Sequence, residues 1–168
     1  GFCVVRVLLD GVHVQDGHGV IDRERAVACM CDFVAQGIAA FDCADIYTGV
    51  EETYGEFLRR YGRKFGPQAA RAIKIHTKYV PDYDALATLT KDQVRATVER
   101  SLRRLGRERL DLVQFSWWNY GVEGWLETMD WLNDLRQDGK IDLLGTTNFD
   151  SAHVAAMAAA RPPAGAGG

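Results

Sequence analysis

The chain has 168 residues, with 20 Lys+Arg against 23 Asp+Glu for a net charge of −3, and 47% hydrophobic against 26% charged residues. That is enough apolar material for one compact domain and too little length for two. The near-balanced charge, mixed in sign along the chain, argues against a nucleic-acid binder, which needs a basic face, and no apolar run approaches the ~18 residues of a membrane span.

An apolar run from Phe2 to Leu9 predicts a first strand, followed by a turn through Gly11, Gly17 and Gly19. Beyond Asp22, Val27, Met30, Cys31 and Val34 recur at helical spacing, and Gly37 ends that helix. Ile38 to Phe41 reads as a short buried strand. A helix is expected over Glu51 to Arg60, its acidic first turn and terminal Arg59-Arg60 matching the helix dipole. Ala72 to His76 is the next strand. Thr90 and Gln93 form a capping box ahead of an apolar stripe, Val94, Val98, Leu102 and Leu105, that stops at Gly106. Leu110 to Phe115 is a strand. Trp125, Met129, Leu132 and Leu135 line a helix closing at Gly139, Ile141 to Gly145 is a strand, and Ser151 to Ala160 is an Ala-rich helix. Residues 1–160 therefore form the folded unit, and the Pro/Gly/Ala run 161–168 reads as a flexible tail. The start at Gly1 suggests a removed presequence or a piece of a longer chain.

Cys3, Cys29, Cys31 and Cys43 lack zinc-site spacing and read as buried free thiols of a soluble chain in a reducing compartment, cytoplasm or organelle. His76 reads as a core histidine, His13 as a surface loop residue, and His18 and His153 as isolated. The arginines from Arg95 to Arg109 read as a solvated face.

Five strands, with a helix after nearly every one, call for βαβ units and a parallel α/β sheet. A dinucleotide-binding doubly wound sheet should show Gly-x-Gly-x-x-Gly after its first strand, and the early glycines lack that spacing. A (β/α)₈ barrel is the competing architecture, with chemistry at the C-terminal ends of its strands. Polar residues expected there are Asp42 and Tyr47, Lys78, Ser116, and Thr147 with Asn148. An ammonium beside a phenol favours proton release, and a carboxylate can hold the ammonium in place. Such a trio could protonate a carbonyl oxygen while a hydride reaches the carbon. A plain Asp42–Lys78 salt bridge with a packed Tyr47 is the other reading.

Phe41-Asp-Cys-Ala-Asp-Ile-Tyr47 followed by Glu51, then Thr77-Lys78, Leu110-Asp-Leu-Val-Gln-Phe115, and Asp138-Gly-Lys-Ile141 leading to Gly145-Thr-Thr-Asn-Phe149, resembles the aldo/keto reductase superfamily in motif order and spacing. The resemblance covers about residues 10 to 160. It implies a (β/α)₈ barrel, here incomplete at about five units, with NADPH bound and aldehydes or ketones reduced. It implies Tyr47 as general acid, Lys78 as the group tuning it, Asp42 as the anchor of Lys78, and Thr147 and Asn148 as holding the nicotinamide carboxamide. Three departures qualify it. Ser116 stands at the family's histidine position, beside the aromatic loop Trp117-Trp118-Asn119-Tyr120 expected to wall the site. A full barrel takes ~250 residues, and the segments matching its last three strands, which carry most of the cofactor's binding surface, are absent. The loop after the first expected strand reads Gly11-Val-His-Val-Gln15 where relatives carry a Trp or Thr near the cofactor ribose.

Two functional readings result. One is a catalytically impaired accessory or structural subunit of a larger assembly. The other is an NADPH-dependent reductase whose barrel is completed by a further segment or a partner chain. An inner sheet face carrying Ile38, Ala40, Val113 and Phe115, with edges left unpaired, predicts association with a protein partner or a second copy through the strand at Ile141–Gly145 and the helix at Ser151–Ala160.

Overall fold

The computed structural model describes residues 23–160. The expected strand at Phe2–Leu9, the glycines, Cys3 and histidines near it, and the tail 161–168 lie outside the described residues. The elements run α1 (Arg23–Ala35), β1 (Ala40–Asp42), α2 (Val50–Phe65), α3 (Pro67–Ala72), β2 (Lys74–Tyr79), a 3₁₀ turn (Tyr83–Thr88), α4 (Lys91–Leu105), β3 (Leu110–Phe115), α5 (Trp125–Gln137), β4 (Ile141–Thr146) and α6 (Ser151–Ala160). The four strands form one sheet in the order β1-β2-β3-β4, every pair parallel. Sequential parallel strands joined by helices are the repeating unit of a (β/α) barrel.

Local chemistry explains the main boundaries. At the start of α4, Thr90 Oγ1 accepts the Gln93 N–H, and Gln93 Oε1 accepts the Thr90 N–H at 2.8 Å, so both halves of the capping box are closed. Its stripe of Val94, Val98, Leu102 and Leu105 is buried throughout. Gly106 ends the helix at φ +64°, the left-handed conformation that a β-carbon disfavours. α2 outlasts its expected end at Arg60 by five residues, and its closing basic turn is Arg63-Lys64. Arg60 instead bridges Glu56 and Glu24 of α1. Gly66-Pro67 then restarts the chain as α3, which runs to Ala72 and moves the start of the strand expected there two residues on, to Lys74. The effect is to carry Thr77 and Lys78 into β2 itself.

Register decides which side chains face the helices. Asp42 pairs with His76, His76 with Leu112, Lys78 with Gln114, Leu112 with Leu143 and Gln114 with Gly145. These alternate residues share one face. The other face presents Phe41, Ile75, Thr77, Tyr79, Val113 and Phe115 to the helices, where all are buried. The expected inner face was therefore wrong for Val113 and Phe115, which form the helix-packed core with Tyr54, Phe57 and Leu132. His76 is half-buried on the open face rather than a core histidine. The thiols also divide: Cys43 is buried, but Cys29 is exposed on α1.

α2 and α4 meet at Gly55. A β-carbon there would lie 2.1 Å from the backbone oxygen of Arg104, so only glycine admits this crossing. Gly55→Ala is expected to destabilise the chain by about 1–3 kcal/mol or more, as overpacking forces the helices apart. A lowered denaturant midpoint with little change in m checks it.

Candidate active site

Asp42 closes β1, Lys78 lies one residue from the end of β2, and Tyr47 stands on the loop between β1 and α2. The Lys78 ammonium contacts Asp42 Oδ2 and donates to the Cys43 carbonyl at 2.8 Å. The second Asp42 oxygen accepts from Gln114 Nε2 at 2.9 Å. With both carboxylate oxygens and two of its own donors engaged, Lys78 is held in one orientation, its ammonium 5.8 Å from the centre of the Tyr47 ring. The three residues expected from the sequence thus come together, and Gln114 joins them unannounced. Its signal was present: Gln114 is a polar residue in an apolar strand, in register with Lys78.

The other expected residues lie on the same rim at the ends of β3 and β4, without a hydrogen bond to the trio among the described residues. Ser116 is 4% exposed, its N–H extending the ladder to the Tyr79 carbonyl at 3.0 Å. Thr147 continues the same pattern, donating to the Phe115 carbonyl at 2.9 Å. Asn148 is exposed and sits at φ +59°, a conformation that asparagine tolerates better than most side chains. The Tyr120 hydroxyl donates to its carbonyl at 3.2 Å.

The aromatic loop splits in two. Trp117 is buried and donates to the Asn119 and Val122 carbonyls, a packing role. Trp118 is 54% exposed and donates to the Pro81 carbonyl at 2.7 Å, tying it to the loop after β2. Tyr120 stacks on His153 with centroids 3.6 Å apart, and His153 Nδ1 lies 2.8 Å from Asp150. His153 is therefore not isolated, because the fold brings α6 onto the rim loop.

Behind the trio, Arg104 turns inward from the face expected to be solvated, while Arg100, Arg103 and Arg109 on that face are exposed. Arg104 donates to the fully buried Glu51 at 3.3 Å, to Glu52 at 2.9 Å and to the Asp45 carbonyl at 3.0 Å. Thr77 donates to Glu51 at 2.8 Å. Asp45 accepts the Val80 N–H at 3.1 Å and lies 3.6 Å from Arg100. Burial, reinforced by the nearby Glu51 carboxylate, pushes Asp45 up to about 7 against the pull of Val80 N–H and Arg100. Burial likewise raises the Cys43 thiol, which Glu51 reinforces. No group of three or more His, Cys, Asp or Glu residues suited to a metal ion occurs among the described residues, and no described helix is long and apolar enough to cross a membrane.

The sequence profile of the Aldo/keto reductase family matches residues 9–164, and the chain belongs to that family. It is 27% identical to the NADH-specific methylglyoxal reductase of Escherichia coli (strain K12), over 82% of this chain and 45% of that protein. It is 32% identical to aflatoxin B1 aldehyde reductase member 2 of Rattus norvegicus, over 80% of this chain and 35% of that protein. Among solved structures, the aldo-keto reductase from Klebsiella pneumoniae in complex with NADPH superposes with a TM-score of 0.64 at 25% identity, over 80% of this chain and 43% of that one. The chain thus spans less than half the length of these relatives, and its parallel sheet corresponds to part of their barrel.

Asp45 generates a pH prediction. The folded state keeps this proton to about 7, whereas an unfolded aspartate loses it near 4, so the folded state binds more protons in between. The contribution of Asp45 to stability is therefore greatest below about pH 4, falls as pH rises to about 7, and is level above. Asp45→Asn keeps an oxygen for the Val80 N–H and is expected to flatten this part of the profile, measured by denaturant unfolding across pH 4–8. An unchanged slope in the variant would assign it to another group.

Proposed function

We propose that this chain is a reductase-type rim with weakened chemistry of its own, working as a subunit within a larger assembly. The observation that carries this reading is the open sheet face, where Leu143 stands 62% exposed in the row that also holds Leu112 and His76. β4 is an outer strand among the described residues, and Ile141–Thr146 contains neither Lys nor Pro to blunt its edge. A protein partner or second copy docking along β4 and α6 would bury that face. Ser116 supports the weakened chemistry. A short hydroxyl in place of an imidazole loses an oriented donor to the substrate oxygen, typically worth about 10²–10³ in rate.

A second reading, NADPH-dependent reduction of an aldehyde or ketone, is favoured by the Asp42–Lys78–Tyr47 arrangement. The exposed amide of Asn148 has both donor and acceptor, which suits a carboxamide, so Thr147 and Asn148 would hold the nicotinamide end. When bound, NADPH supplies a hydride to the carbonyl carbon. Tyr47 then gives its phenolic proton to the carbonyl oxygen. The Lys78 ammonium, fixed by Asp42 and the Cys43 carbonyl, stabilises negative charge as it develops on the phenol oxygen. Gln114 restrains the carboxylate from the far side, a positioning role.

Two measurements separate the readings. Turnover of simple aldehydes with NADPH is expected near background, and tryptophan quenching should show NADPH binding weaker than low micromolar. Robust turnover that Tyr47→Phe cuts by about 10²–10⁴ would instead decide for the reductase. Light scattering after size exclusion is expected to give a mass above that of one chain, and a monomer surviving dilution would sink the assembly reading.

A further inference from the structure

At the opposite end of the sheet from the rim, the second half of α2, α3, the turn from α4 into β3 and the starts of β2 and β3 line an open hollow of about 950 Å³. Lys74 begins β2 and Lys78 marks the rim, so the two ends are about 13 Å apart along the strand. Small residues, Gly62, Ala70 and Gly106, keep this hollow open. Its walls carry Arg59, Arg63, Arg71, Lys74, Arg107 and Arg109 against only Glu108 and Asp111.

Two of these cations are committed: Lys74 to Asp111 at 2.8 Å, and Arg109 to Asp142 at 3.4 Å. Arg59, Arg63 and Arg71 have no ion pair among the described residues. Arg59 and Arg63 are one helical turn apart on α2, a spacing at which like charges repel. Arg107 is anchored by donating to the Ala70 and Ile73 carbonyls at 2.9 and 2.8 Å, and its buried Nε lacks a partner. Four guanidinium groups that make no ion pair among the described residues thus line one concavity, beside Glu108 and Asp111, in a chain whose net charge is −3. A concave low-dielectric wall concentrates such a field, and guanidinium forks match phosphate oxygens in pairs.

We propose that this cavity is a second ligand site, which binds a small oligophosphate anion through Arg59, Arg63, Arg71 and Arg107. The volume is that of a small-molecule pocket. Free oligophosphate and the phosphate tail of a nucleotide share this chemistry. The site lies at the far end of the strands from Asp42, Tyr47 and Lys78, so it is independent of any cofactor bound at the rim.

The test titrates the full chain with sodium tripolyphosphate and, separately, with ATP, both without divalent metal, by calorimetry at low and moderate salt. Saturable binding that weakens with salt is expected, with the Gly62 and Gly106 amide resonances shifting during titration. Arg59, Arg63 and Arg71 are exposed, so Arg59→Gln, Arg63→Gln and Arg71→Gln together leave the core intact. The combined variant should lose at least about 100-fold in affinity, while Lys78→Met at the rim should bind as the parent does. Equal affinities for the two probes identify free oligophosphate, and tighter ATP identifies a nucleotide; either supports the site. No saturable binding, binding that survives the triple replacement, or binding abolished by Lys78→Met would overturn it.

Discussion

Glu51 places a carboxyl group in the least accessible part of the molecule, and much of the arrangement follows from having to partner it. Left alone there, such a group would be strongly destabilising. Thr77 of β2 and Arg104 of α4 supply its donors. The same guanidinium reaches Glu52 and the Asp45 carbonyl, so the loop that carries Tyr47 is tied to α4 on both sides. Arg104 can sit this close to α2 because residue 55 is a glycine lying against its backbone oxygen. One buried acid thereby couples strand, loop and two helices behind the rim.

On the other side of the sheet, register does the positioning. Parallel strands offset by their βαβ connections bring Asp42, Lys78 and Gln114 into neighbouring places on a single face. The Cys43 carbonyl completes the hold on the ammonium. The arrangement resists rotation of Lys78 better than a two-atom salt bridge would, because carboxylate and ammonium are each restrained from a second direction.

The two ends of this sheet differ in electrostatic character. At the rim, the cation Lys78 is matched by Asp42, and the local field is that of a bonded pair. At the other end guanidinium groups gather with fewer carboxylates than they could use. Overall charge says nothing about this separation. The net of −3 averages over a polarised molecule, and association with charged ligands responds to the local field.

Much of this was legible in the residues themselves. Helical spacing, the Thr90–Gln93 capping box, glycine stops and strand motifs identify α1, α4, α5 and α6 and the four strands to within a few residues, because local periodicity and capping are local physics. The motifs around Asp42, Tyr47 and Lys78 were readable for the same reason. What the sequence could not say is which face each strand residue occupies: Val113 and Phe115 lie under the helices, and Leu112 and Gln114 do not. Side-chain direction alternates with a period of two, so a single-residue uncertainty in register reverses it. Nor could it separate the arginines that turn inward, Arg104 and Arg107, from those facing solvent, because that depends on which helix crosses which and how closely. The sequence by itself determined most of the elements and their order, though not α3, since these rest on contacts a few residues apart. Only the tertiary structure decided that Gln114 completes the Asp42–Lys78 pair, that Arg104 guards Glu51, and that distant arginines share one cavity. Each of those joins groups far apart in the chain, whose meeting is set by packing.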